Sequence, residues 1–152
     1  TPMMVTHRTF TKSLFATAIL AVGLAGCSSM MPSNKVTLTG QLSAAQEVPP
    51  TVSSGTGMAE AWLNKDTNVL TWKVTFSGLT GPATAGHFHG PAAAGANAGV
   101  VVPFAGTTSP LEGQATLTPA QAADLLAGKW YANIHTAANK GGEIRGQMTP
   151  KM

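Results

Sequence analysis

Three histidines carry the strongest chemical signal in the sequence: His87 and His89, separated by Phe88, and His135 far downstream. In a strand, residues two apart project from one face with Cα atoms roughly 6.5–7 Å apart, so His87 and His89 can lean onto one ion while Phe88 enters the core. In residues 130–136, Ala132 and Ile134 are the core-facing positions, which turns Tyr131, Asn133 and His135 to the opposite face, toward the first pair. Three neutral imidazoles are borderline ligands that suit copper or zinc and leave one coordination position open for water or substrate. The same spacing also fits histidines that never converge and only hydrogen-bond near the surface.

Around that trio, Asn133 and Glu143 are candidates to orient a ligand ring. Arg145 is expected to share one face of a terminal strand with Glu143, as a surface ion pair. No catalytic residue is assigned. Ser53, Ser109 and Asp124 form no nucleophilic triad, no Gly-x-Ser-x-Gly elbow occurs, and no carboxylate pair is placed for glycoside chemistry. Gly95-Ala96-Asn97-Ala98-Gly99 lacks the Lys and the strand-to-helix setting of a phosphate loop. Trp62, Trp72 and Trp130 read as packing residues, as do Met58 and Met148.

The elements that must position these residues follow from a period of two beginning at Lys35. Val36, Leu38 and Leu42 alternate with Thr37, Thr39 and Gln41. Residues 58–63 and 69–76 flank Asn64-Lys65-Asp66-Thr67-Asn68 as a hairpin with Leu70, Trp72, Val74 and Phe76 on its inner face. Further strands are expected over 85–89, 99–104, 111–117, 130–136 and 143–148, each punctuated by Gly or Pro. One short helix is expected over 119–127, with Thr118 as N-cap, Pro119 at the first helical position, Gln121 completing a capping box and Gly128 as the stop. Seven or eight such strands predict an all-β, antiparallel Greek-key sandwich or partly closed barrel.

The N-terminal residues have a different logic. His7, Arg8 and Lys12 precede an apolar run, Leu14–Gly23, too short and too rich in Gly and Ala for a lasting membrane span. Residues 1–26 therefore read as a signal peptide, 27–34 as a polar tether and 35–149 as one domain; Thr1-Pro2, ahead of the first Met, are left out of the fold reading. The chain has nine Lys and Arg against six Asp and Glu. Loss of Arg8 and Lys12 leaves seven against six, a net charge of about +1 with no basic cluster, which argues against nucleic-acid binding. Cys27 is the single cysteine, so no internal disulfide can form.

Several runs are recognisable. Leu24-Ala25-Gly26-Cys27 resembles the bacterial lipobox, which implies lipidation of Cys27, a membrane anchor and a place in the cell envelope; Ser28, where an Asp often retains lipoproteins at the inner membrane, points to the outer membrane and periplasm. Gly86-His87-Phe88-His89-Gly90-Pro91-Ala92, Trp130-Tyr131-Ala132-Asn133-Ile134-His135-Thr136 and Gly141-Gly142-Glu143-Ile144-Arg145-Gly146-Gln147 resemble the signature blocks of the chordin-type (CHRD) domain, and Leu42–Pro50 is similar to its opening. The resemblance covers about Val36 to Met148 and implies a module, not a reaction.

A second, partial likeness runs from Leu79-Thr80-Gly81-Pro82 through His87-Phe88-His89 to Ile134-His135 and a Gly-Gly-x-x-Arg stretch. It is similar in order to the copper-zinc superoxide dismutases, Greek-key barrels. It would place His87, His89 and His135 at copper-ligand positions and Arg145 at the anion-guiding arginine. The chain departs from that family in having no bridging histidine, no zinc loop, no disulfide and a shorter His135-to-Arg145 spacing. The resulting expectation is a lipid-anchored binding module with one metal ion, copper favoured over zinc, rather than an enzyme. The rivals are an interaction domain for an envelope protein or polymer with incidental histidines, and a copper redox enzyme.

Overall fold

The computed structural model describes residues 2–3 and 33–152. Apart from residues 2–3, the signal segment, Cys27 and the tether up to residue 32 lie outside the described residues.

From Lys35 the alternation expected from the sequence becomes nine strands: β1 Lys35–Ser43, β2 Thr56–Asn64, β3 Val69–Ser77, β4 Ala83–His89, β5 Val100–Pro103, β6 Leu111–Thr116, β7 Tyr131–Thr136, β8 Ile144–Gln147 and β9 Thr149–Pro150. The main ladder runs β5-β4-β7-β8-β1-β2-β3-β6, all antiparallel, with β9 pairing β1. The first eight strands make a near-closed barrel.

Because side chains alternate, one set of positions fills the interior. Leu38 and Leu42, Ala59, Ala61 and Leu63, Leu70, Trp72 and Val74, Phe88, and Ala132 and Ile134 are all buried. Phe88 is central: its ring lies 5.6 Å from Trp72, 4.8 Å from Phe104 and 5.9 Å from Trp130. Gly113 makes room for this cluster, since a Cβ there would sit 2.5 Å from the Trp72 ring. Trp62, on the outer face of β2, is only half-buried.

The connections obey local chemistry. The β2–β3 turn is held by Asn64, whose Oδ1 accepts from the Asp66 and Thr67 amides, and Asn68 takes φ 55°. Helix α1, Pro119–Leu126, carries the full Thr118/Gln121 capping box and buries Ala122 and Leu125. It ends one residue short of the expected boundary, with Gly128 at φ 73°. A 3-10 turn at Ala44–Gln46 and the short β9 have no signal in the periodicity.

One expectation is corrected. The strand bearing Arg145 is not terminal in the sheet: β8 lies between β7 and β1. Glu143 and Arg145 are 0% and 3% exposed and form no ion pair with each other. The outer side of β8 is covered by Gln46 of the 3-10 turn and by Asn97 of the β4–β5 loop, both of which bond Arg145.

Candidate metal centre

The site is built on the outer face of β4 and β7. Phe88 and Ile134 turn inward, so His87, His89, Tyr131, Asn133 and His135 must turn outward. In the ladder His89 faces Tyr131, His87 faces Asn133 and Ala85 faces His135, which sets His135 diagonally across from His87. The register, shared by two neighbouring strands, brings histidines 48 positions apart into contact.

His87 Nδ1 lies 3.2 Å from His135 Nε2. The ring centroids are 5.0 Å apart for His87 and His135, 5.4 Å for His87 and His89, and 5.9 Å for His89 and His135. One nitrogen from each ring falls within 4.8 Å of the others. Bonds of about 2.0–2.1 Å to a tetrahedral ion put ligand nitrogens roughly 3.3 Å apart, a separation that the His87–His135 pair already has.

The second nitrogens explain which atoms are free. His89 Nδ1 is 3.0 Å from the Ala98 carbonyl and His135 Nδ1 is 2.9 Å from the Lys140 carbonyl, so each donates there and turns its Nε2 lone pair toward the cluster. His89 Nε2 is buried and has no hydrogen-bond partner among the described residues. A buried acceptor left unpaired is costly, and here it points to a ligand the protein itself does not supply.

Burial favours the neutral form of His87 and His89. His87 is held below the ordinary imidazole value by burial and then by His135 and His89. For His89, burial is again the largest cause, and the Ala98 carbonyl only partly offsets it and the nearby His135 and Arg145 charges. Neutral imidazole is the form that ligates metal.

The structure gives the other expected residues different roles. Asn133 donates to Glu47 Oε1 at 2.5 Å and to the Ile144 carbonyl at 2.9 Å, not to an imidazole. Glu143 accepts from the Thr80 amide at 2.9 Å. Burial would raise its carboxyl, but Thr80, Ser53 and Thr136 hold it below the usual range. Neither side chain hydrogen-bonds a ligand ring; the hydrogen-bonding groups on the rings of His89 and His135 are two backbone carbonyls. Arg145 instead lies over Tyr131, 4.4 Å from the ring centroid, and Tyr131 stacks on His89 at 4.9 Å. Tyr131 and the carbonyls of Ala98 and Lys140 are what sequence reasoning misses. Only the outward register of Tyr131 marks it in advance.

Residues 38–148 match the CHRD domain. The chain belongs to the CHRD domain family. Its matched span contains all of the barrel but the first three residues of β1, and includes His87, His89, His135 and the residues that brace them. No curated protein and no solved structure matches the chain, so the likeness to copper-zinc dismutases rests on motif order alone. CHRD membership defines the module; the arrangement of nitrogens is what speaks to chemistry.

Proposed function

We propose that this CHRD domain is a metal-binding module of the bacterial envelope, anchored by lipid on Cys27 and holding one copper ion through His87, His89 and His135. The observation that carries the reading is the convergence of three imidazole nitrogens within 4.8 Å of one another, one of them buried and unpartnered. Copper is favoured over zinc because nitrogen donors rank it highest among the divalent ions, and because an exported protein escapes cytosolic metal control. A fourth position stays open for water, a small ligand or a partner's donor atom. The role is capture and holding rather than catalysis, since no general acid, base or nucleophile is assigned beside the cluster.

The lipid anchor rests on the lipobox-like Leu24-Ala25-Gly26-Cys27. Acyl chains contribute about 0.8 kcal/mol per buried methylene, enough for a multiply acylated Cys27 to hold the domain at a bilayer surface, the outer membrane by the Ser28 criterion. The test of the metal reading is a competition titration of the metal-free protein against a chromophoric copper(II) chelator. One equivalent should be withdrawn from the chelator, with weaker binding below about pH 6 as protons compete for the imidazoles. No withdrawal at any protein excess would end the reading.

A further inference from the structure

The loop that supplies the His89 partner is a weak piece of chain. Residues 90–99, Gly-Pro-Ala-Ala-Ala-Gly-Ala-Asn-Ala-Gly, contain no large apolar side chain and no buried residue, and Asn97 is the one side chain with polar atoms. Such a segment gains little from burial; the bonds from the Gly90 amide to the Gly99 carbonyl at 3.1 Å and at Ala92 to Lys129 and Gln147 hold its ends and not Ala98 itself. Yet the Ala98 carbonyl is where His89 Nδ1 is fixed.

Two side chains act at Ala98 and its neighbour Asn97. Asn97 is clamped on both sides: its Oδ1 accepts from Arg145 Nη1 at 2.9 Å, and its Nδ2 donates to the Val48 carbonyl at 3.0 Å. Tyr131 Oη accepts from the Ala98 amide at 3.1 Å and donates to the Ala98 carbonyl at 3.3 Å. Arg145 is fixed in turn by its Nε bond to the Gln46 carbonyl at 2.7 Å. It also covers the face of Tyr131 whose ring lies parallel, within 2°, to His89. A guanidinium this buried is expensive without a carboxylate partner, and no ion pair to it forms among the described residues. Its planar fork spans the 3-10 turn, the loop and the aromatic face at once, which a lysine cannot do.

We propose that Arg145 and Asn97 are positioning residues for the metal site, locking the 90–99 loop so that the Ala98 carbonyl holds His89 with its Nε2 lone pair aimed at the other two rings. Arg145 acts through Asn97 and Tyr131 and does not touch the site itself. The consequence for metal affinity rests on the metal reading; the consequence for the imidazole does not.

The experiment is nitrogen–proton correlation NMR of the imidazoles in metal-free protein, for wild type, Asn97→Ala and Arg145→Lys, followed by copper(II) competition on all three. Asn97 is exposed, so its truncation spares the core. In wild type His89 should be a single Nδ1–H tautomer. In both variants it should become a mixture, while His135, held by Lys140 from a different loop, stays unchanged. Copper(II) affinity should fall about 10–100-fold in both variants at unchanged stoichiometry. A His89 tautomer that survives both substitutions overturns the proposal, as does an affinity that ignores the tautomer change or a shift in which His135 moves equally. A wild type that binds no copper sinks the metal reading, while the tautomer data still decide whether the clamp exists.

Discussion

Asn133 and Glu47, 86 positions apart, share a buried 2.5 Å hydrogen bond on the outer side of the barrel wall. That bond stabilises an otherwise poorly solvated carboxylate. Burial pushes Glu47 up from 4.5 to about 7, with Asn133 and then Arg145 pulling it partly back.

The folded chain therefore keeps a proton on Glu47 that the unfolded chain releases between pH 4.5 and about 7. Its contribution to stability is complete below pH 4.5 and is lost as pH rises through 7. His87 and His89 act in the opposite sense: their lowered values mean the unfolded chain takes up more protons below 6.5, so stability falls as pH drops through that range. Glu47→Gln keeps an oxygen for Asn133 and separates the two. It should be more stable than wild type at pH 8 by on the order of 1 kcal/mol and nearly equal to it at pH 4.5. Urea midpoints at the two pH values measure this; equal differences at both would remove Glu47 from the account.

Close approach between β8 and β1 makes a second prediction. A Cβ on Gly146 would lie 2.1 Å from the Gln41 carbonyl oxygen and 2.6 Å from its carbon, both backbone atoms that cannot swing aside. Gly146→Ala should cost about 2 kcal/mol or more, as overpacking does where the neighbour is main chain. Gly81→Ala, with nothing within 4 Å of the added carbon, should fall within about 0.5 kcal/mol of wild type. Thermal or urea unfolding of the pair checks it, and a Gly146 variant as stable as the Gly81 variant would contradict the packing.

Phe88 joins core to site, because the ring it buries is what turns His87 and His89 outward. It is fully buried against Trp72, Phe104 and Trp130. Phe88→Ala should cost about 3–5 kcal/mol, and Phe88→Leu less. Equilibrium unfolding measures both; a loss under 1 kcal/mol for the alanine variant would mean the aromatic cluster is not the centre of the core.

Local signals were legible in the sequence because they need only neighbours. The alternation of β1 and β3, the Asn64–Asn68 turn and the Thr118/Gln121 capping box each involve residues a few positions apart. The outward face shared by His87, His89 and His135 was legible for the same reason, since each strand shows its own inner residues. What pairs with what was not. The interior place of β8, which buries Arg145, follows from ladders to β7 and to β1, a strand about a hundred positions away. The imidazole partners on Ala98 and Lys140 are main-chain oxygens, which no side-chain pattern reveals. The Asn97 clamp lies in an Ala- and Gly-rich loop, where a lone amide carries no periodicity.

The most direct test of a shared metal centre is the copper(II) dissociation constant of His87→Ala, His89→Ala and His135→Ala, each measured beside wild type by chelator competition. Wild type should bind one ion per chain, and each single variant should bind at least about 100-fold more weakly, because removing any of three ligands breaks the same site. Three variants that keep the wild-type constant and stoichiometry would contradict it.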